Sequence, residues 1–249
     1  MPSFDALIFD LGSTLIYFDG DWPEVYSQAD IELVRYLRAA GWDVDSEEFL
    51  EEFRARLEEY HTERESEFIE YTTAYTLRSL LADWGHDEVP DEVIVSALEA
   101  MYRVSQANWK AEKDAAPTLR KLREQGYRLG IISNAGDDAD VQTLVDEAEL
   151  RPYFEVILSS AALGIRKPHP RIFEIALEAL ETQPSRAAMI GDTLGADILG
   201  ANNAGMFSIW VTRRADVPAN RAHSDTIKPD AVIRALGELP DLLEKLEKQ

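Results

Sequence analysis

Residues 7–15 read Leu-Ile-Phe-Asp-Leu-Gly-Ser-Thr-Leu. The apolar run Leu7, Ile8 and Phe9 has the character of a buried strand, and it delivers one acid, Asp10, before the turn-forming Gly12, Ser13 and Thr14. In an open parallel sheet, ligands collect beyond the carboxyl ends of the strands, so an acid at that point is placed for chemistry. An isolated acid there also serves to end a strand or cap a turn, and the rest of the chain decides between the two.

From Ala116 onward, strand and helix alternate. A helix over Pro117 to Gln125 stops at Gly126, and Tyr127 to Ile132 forms a strand ending in Ser133 and Asn134. A helix over Asp138 to Glu147, a strand over Phe154 to Leu158 and a helix over Arg171 to Leu180 follow, the last preceded by Lys167, Pro168, His169 and Pro170. Ala187 to Ile190 is a strand ending in Gly191 and Asp192, Ala196 to Ala204 a helix, and Phe207 to Val211 and Ala231 to Ile233 strands. A tail helix starts at Asp241, and 212–228 reads as loop. Such alternation predicts an α/β protein with a doubly wound parallel sheet.

Between the first strand and this block, 24–108 carries only helical signals. Val25, Ile31, Leu33, Val34 and Leu37 recur at helical spacing, with Gly41 as a stop. Asp45 and Glu48 form a capping pair for a second helix through Phe49, Phe53 and Leu57. A third helix runs from about Glu67 to Trp84, and a fourth from Asp91 through Val93, Ile94, Leu98 and Met101. This is the pattern of an inserted, all-helical unit that packs on itself.

The 249 residues are enough to bury a substantial core. A formal net charge of −22 and a pI near 4.5 disfavour nucleic acid or an anionic membrane as partner. The absence of cysteine excludes disulfides, thiolate metal sites and a cysteine nucleophile. The four histidines, His61, His86, His169 and His223, lack zinc-site spacing and read as surface or loop residues. Neither a basic-plus-apolar leader nor a membrane-length apolar run is visible, so a cytoplasmic location is expected.

Three strand ends carry polar groups: Asp10, Ser133 with Asn134, and Asp192. Lys167 lies in a loop before a helix. If those strands adjoin, the groups converge on one pocket. Asp10 and Asp192, with Asp197 close in sequence, are hard oxygen ligands suited to magnesium, and a hydroxyl and an ammonium beside them grip an anion. The set describes a phosphoryl-transfer site. Read singly, Ser133 is also a helix cap, Lys167 a solvated charge, Asp197 a first-turn acid and Asn134 a turn residue.

Four motifs in order carry a family resemblance: FDLGSTL at Phe9 to Leu15, IISN at Ile131 to Asn134, RKPHP at Arg166 to Pro170 and GDTLGAD at Gly191 to Asp197. Through them the chain resembles the haloacid dehalogenase superfamily of hydrolases. The resemblance implies a Rossmann-like core over 1–16 and 113–249 and a helical cap over 17–112. It implies Asp10 as nucleophile, Ser133 as phosphate ligand and Lys167 as the cation pairing Asp10 and phosphate. A magnesium ion would lie among Asp10, the Gly12 carbonyl, Asp192 and Asp197, and the substrate would be a small phosphorylated metabolite, with Asn134 as a further contact. Thr14 is expected to orient the loop by hydrogen bonding. Tyr17, Asp19 and Trp22 are candidates for the entrance, although an aromatic there more often packs the hinge of the cap. Arg35 or Arg38 is a candidate for holding a substrate carboxylate, although either reads first as a solvated helix charge.

One departure shapes the chemistry. Phosphatases of this superfamily usually carry a second aspartate two positions after the nucleophile, where this chain has Gly12. Its carbonyl can still serve a metal, but it has no side chain to protonate a leaving oxygen or activate water, a contribution worth about 10²- to 10⁴-fold. Dehalogenases of the superfamily also lack that aspartate and use their nucleophile without metal, so a 2-haloacid dehalogenase is the rival enzyme. A pocket that binds phosphate compounds or a protein partner without turnover is the alternative of another class. Asp192 and Asp197 favour the phosphatase, since buried acids facing Asp10 without a cation are costly.

Overall fold

The computed structural model describes residues 4–44 and 46–248. In chain order the elements are β1 (Ala6–Phe9), β2 (Ile16–Phe18), α1 (Trp22–Ala39), α2 (Ser46–Glu67), α3 (Thr73–Asp83), α4 (Asp91–Gln106) and β3 (Trp109–Ala111). Then follow α5 (Ala115–Glu124), β4 (Arg128–Ser133), α6 (Asp138–Glu147), β5 (Val156–Ser159), α7 (Ser160–Leu163), α8 (Pro170–Ala179) and β6 (Ala187–Gly191). A π-helical turn, Leu194–Ile198, leads into α9 (Leu199–Asn203), β7 (Phe207–Val211), α10 (Pro218–His223), β8 (Ala231–Ile233) and α11 (Leu239–Glu247).

Six parallel strands form one sheet in the order β5-β4-β1-β6-β7-β8. The hydrophobic run at Leu7–Phe9 lies at its centre because β1 is buried on both faces. Successive side chains alternate: Leu7 and Phe9 join Leu129, Ile131 and Ile190 in one core, while Ala6 and Ile8 join Met189, Ile172 and Phe173 in the core across the sheet. Phe9 pairs with Ile131 on one side and Ile190 on the other. That register brings the polar ends of β1, β4 and β6 to the same edge of the sheet. The order reverses at β1, between β4 and β6, which is the switch point where such sheets open a crevice.

The helical insert has its own core: Leu33 and Leu37 of α1, Phe49 and Phe53 of α2, Leu77 and Leu80 of α3, and Ile94 and Leu98 of α4. Truncating a fully buried aromatic such as Phe53 to alanine would cost about 3–5 kcal/mol. The insert is joined to the sheet through a short antiparallel ribbon, with Ile16, Tyr17 and Phe18 opposite Ala111, Lys110 and Trp109.

Several boundaries differ from expectation for local reasons. The ribbon β2–β3 was not anticipated, because three-residue strands are too short to show a period. α2 continues to Glu67, Phe68 then turns the chain with φ +57°, and α3 begins only after Thr72, whose hydroxyl accepts from the Tyr75 amide at 3.1 Å. Asp45, expected to cap α2 with Glu48, lies outside the described residues. The stretch 212–228, read as loop, contains α10. Among the described residues, no helix is long and apolar enough to cross a membrane.

Candidate active site

β1 presents Asp10 at its carboxyl end, with the Asp10 amide donating to the Ile190 carbonyl at 2.9 Å. Lys167 is 2 % exposed, and its ammonium donates to Asp10 Oδ1 and to Asp197 Oδ1, each at 2.7 Å. Asp197 Oδ2 accepts from the Thr193 amide at 2.9 Å, so both of its oxygens are engaged. Gly191 makes this possible: a Cβ there would stand 2.3 Å from the Asp197 carboxyl carbon. Only glycine at the end of β6 lets the π-helical turn fold that carboxylate back toward the sheet.

Carboxylate oxygens of Asp10, Asp192 and Asp197 come within 4.8 Å of one another. Crowding adds to burial in setting the acidities of Asp10 and Asp192. Burial, opposed by Lys167 and reinforced by Asp197, raises the Asp10 carboxyl to about 6. Burial and the neighbouring charges of Asp10 and Asp197 raise Asp192 to about 8. Burial by itself would depress Lys167, but Asp10 and Asp197 outweigh it and hold its acidity constant above the ordinary value. Three acids facing one ammonium are a donor set that fits a hard divalent cation.

Asp10, Gly12, Ser133, Asn134, Lys167, Asp192 and Asp197 line one cavity of about 690 Å³. The sequence-predicted residues are therefore assembled in one place. A groove of similar size, about 710 Å³, between α1 and α4 holds no such cluster. Asn134 clamps the main chain of Lys167: its Oδ1 accepts from the Lys167 amide at 2.8 Å and its Nδ2 donates to the Lys167 carbonyl at 3.0 Å.

Other expectations are corrected. Thr14 is buried, but its hydroxyl has no hydrogen-bond partner, so it does not orient the loop in that way. Tyr17, Asp19 and Trp22 pack the ribbon rather than the entrance. The Arg214 guanidinium covers the Tyr17 ring at 3.9 Å, Asp19 pairs with Lys110, and Trp22 stacks on Phe18 at 3.5 Å. Arg35 pairs with Glu32 and Arg38 donates to the Val44 carbonyl at 2.7 Å, so neither reaches the cavity. His169 caps α8, its Nδ1 accepting from the Arg171 amide at 3.1 Å.

The insert instead contributes Phe68 and Trp109 to the cavity. A Cβ on Gly12 would lie 3.6 Å from the Trp109 ring, so the space beside the missing aspartate is occupied by an indole. Phe68 arrives through backbone pairing, in which the Arg166 amide donates to the Phe68 carbonyl and the Glu70 amide to the Gly164 carbonyl, each at 3.0 Å. The Ser160 hydroxyl donates to Glu70 at 2.8 Å on the same side.

Further lining residues escaped the sequence reading: Asp140 on α6, and His223 beside Gly195. So did Asn220, which lies behind the cavity wall. Its Oδ1 accepts from the Leu194 amide at 2.8 Å, and its Nδ2 donates to the Asp192 carbonyl at 2.9 Å, an oxygen that Trp210 Nε1 also reaches at 2.8 Å. These contacts fix the main chain that carries Asp192, and no spacing rule announces them.

A sequence model of a hydrolase family, described as haloacid dehalogenase-like hydrolase, matches residues 4–205. The chain is 28 % identical to a glyceraldehyde 3-phosphate phosphatase of Pyrococcus furiosus, over all of this chain and 95 % of that protein. It is also 28 % identical to a ribulose-1,5-bisphosphate 5-phosphatase of Halopiger xanaduensis, covering 96 % and 98 % of the two chains. Among solved structures, a 2-haloacid dehalogenase from Pseudomonas syringae pv. Tomato DC3000 superposes with a TM-score of 0.70 at 26 % identity, covering 98 % of this chain and 99 % of that one.

Proposed function

The chain belongs to the haloacid dehalogenase-like hydrolase family, and on that premise we propose that it is a magnesium-dependent phosphoric monoester hydrolase acting on small phosphometabolites. The observation that carries the reading is the buried Lys167 ammonium bridging Asp10 and Asp197, with Asp192 completing an acidic cluster at the same strand ends. The names of the two phosphatase relatives support it. A cytoplasmic location and a division into a core of 1–16 and 113–249 with a cap of 17–112 belong to the same reading.

Asp10, Asp192 and Asp197, with the Gly12 carbonyl, are the groups that would hold magnesium, which when bound supplies positive charge beside a transferring phosphoryl group. Asp10 is the nucleophile: one of its oxygens bonds to phosphorus as the ester oxygen leaves, giving an aspartyl phosphate. Lys167 pairs with Asp10 and with phosphoryl oxygens, and Ser133 donates its hydroxyl to another. Asp197 and Asn134 hold Lys167 in place by its ammonium and its main chain. Water then attacks phosphorus and restores the Asp10 carboxylate. Phe68 and Trp109 narrow the cavity and limit solvent around the reacting group.

The rival reading, displacement of halide from a 2-haloacid by Asp10 without metal, draws on Gly12 and on the dehalogenase superposition. It gives Asp192 no role, whereas Asp197 would still hold the Lys167 ammonium. The discriminating experiment measures phosphate release from aryl, acyl and sugar phosphates with magnesium and with chelator, for wild type and Asp10→Asn. Magnesium-dependent release that is lost in Asp10→Asn is the expected result. Halide release from 2-chloropropionate, in the absence of phosphate release, would replace the proposal with the dehalogenase.

A further inference from the structure

Gly12 leaves the proposed phosphatase without its usual acid and base, and the cavity contains a carboxylate that the mechanism above does not use. Outside the Asp10 cluster, Asp140 and His223 are the acid–base side chains lining the cavity among the described residues. Asp140, Val141 and Leu144 lie together on the cavity face of α6, and Leu144 and Trp109 also share a smaller pocket with Ile16. Trp109 is the residue whose ring fills the space beside Gly12. Three residues before it, Gln106 at the end of α4 donates from Nε2 to Asp140 Oδ1 at 2.9 Å. The segment whose indole borders Gly12 thus also holds Asp140 in the same lining.

We infer that Asp140 supplies the acid and base function absent at Gly12, an assignment that rests on the phosphatase reading. As Asp10 bonds to phosphorus and the P–O bond to the alcohol breaks, the Asp140 carboxyl gives its proton to the departing oxygen. The resulting carboxylate then takes a proton from the water whose oxygen attacks the aspartyl phosphate. The P–O bond to Asp10 breaks, and phosphate, Asp10 carboxylate and protonated Asp140 are restored. The surroundings favour a carboxyl that exchanges protons near neutrality. Burial raises Asp140 to about 6, the Gln106 amide opposes that rise, and the charges of Asp137 and Glu147 add to it. The packed elements β5 and α7 bring no charged side chain, and Arg103 of α4 lines the groove shared with α1. His223 is exposed on α10, beside the loop that carries Asp192 and Asp197.

The test exploits leaving-group chemistry, because an alkoxide needs protonation far more than a nitrophenolate does. Turnover of glycerol phosphate and of p-nitrophenyl phosphate is measured with magnesium for wild type, Asp140→Asn, Asp140→Glu and His223→Gln, with thermal unfolding confirming that each variant is folded. Asp140→Asn is expected to lose about 10²- to 10³-fold on glycerol phosphate and less than about tenfold on the aryl ester. Asp140→Glu should recover part of the alkyl activity, and His223→Gln should leave the ratio between the two esters unchanged. Equal losses on both esters, or a ratio that shifts with His223→Gln instead, would overturn the assignment. A wild type silent on both esters would overturn the phosphatase reading itself, and the role of Asp140 with it.

Discussion

Asn134 grips Lys167 by its main chain on both sides, accepting from its amide at 2.8 Å and donating to its carbonyl at 3.0 Å. The two residues lie 33 positions apart in the chain, so this pair of bonds fastens the loop before α8 to the end of β4. Asn134→Ala would remove both bonds and leave the Lys167 amide and carbonyl to find other partners. A loss of about 1–3 kcal/mol in stability is expected, with turnover falling about 10- to 100-fold as the ammonium drifts from Asp10. Denaturant unfolding and steady-state kinetics on one preparation check both, and an Asn134→Ala protein with wild-type turnover would refute the clamp.

Thr14 offers a test in the opposite direction. Its hydroxyl is buried without a partner, and a hydroxyl in that state costs stability relative to a methyl of similar shape. Thr14→Val is therefore expected to raise the free energy of unfolding by about 1 kcal/mol. A variant less stable than wild type in a urea titration would show that the hydroxyl finds a partner in solution.

The elevated acidity constant of Asp140 carries a stability consequence whose sign is fixed. In the folded protein the carboxyl titrates at about 6, raised chiefly by burial, whereas unfolded it returns to the ordinary value of about 4. The folded state binds more protons between those values. The contribution of Asp140 is thus fully present below about pH 4 and is lost as the pH rises through about 6. Asp140→Asn should gain stability relative to wild type on going from pH 4 to pH 7.5, as read by thermal unfolding across that range. A constant difference between the two proteins would contradict the shift.

Gly12 and Trp109 form a coupled pair. A Cβ at position 12 would lie in ordinary contact with the indole at 3.6 Å, so the ring borders any side chain placed there. In an Asp140→Asn background, Gly12→Asp alone is expected to change alkyl phosphate turnover by less than about threefold, whereas Gly12→Asp combined with Trp109→Ala should restore about tenfold or more. A restored rate in the absence of the Trp109 change would show that the ring yields without cost.

How much of this was legible in the sequence depends on the range of the interaction. Asp10, Ser133, Asp192 and Lys167 could be picked out because apolar runs deliver polar groups at strand ends and four local motifs keep their order. Gly191 is part of such a motif, and the reason for it emerges only from the 2.3 Å approach of Asp197. Asn220 was invisible: its bonds go to main-chain atoms, one of them 28 residues away, and its helix lies in a polar stretch with no amphipathic period. Asp140 was hidden in plain composition. With Asp138 it is one of the first-turn acids that the helix dipole favours on any exposed helix, and its distinction comes from Gln106, 34 positions earlier. Arg38 shows the converse, an arginine suggestive of substrate binding that is spent on the Val44 carbonyl.

The ribbon that joins insert to sheet has a consequence for how such a protein is built. Phe18 lies opposite Trp109 and the Asp19 amide donates to the Asn108 carbonyl at 2.8 Å, so the chain departs and returns at adjacent points. The residues between them form a detour that meets the sheet's loops again where Phe68 and Glu70 pair with Arg166 and Gly164. Insert and sheet are accordingly tied both at the ribbon and at the pairing around Phe68. An insert shortened by grafting at Asp19 and Asn108 would keep the strand ends that carry Asp10, Ser133 and Asp192 but lose Phe68 from the cavity and the Gln106 bond to Asp140.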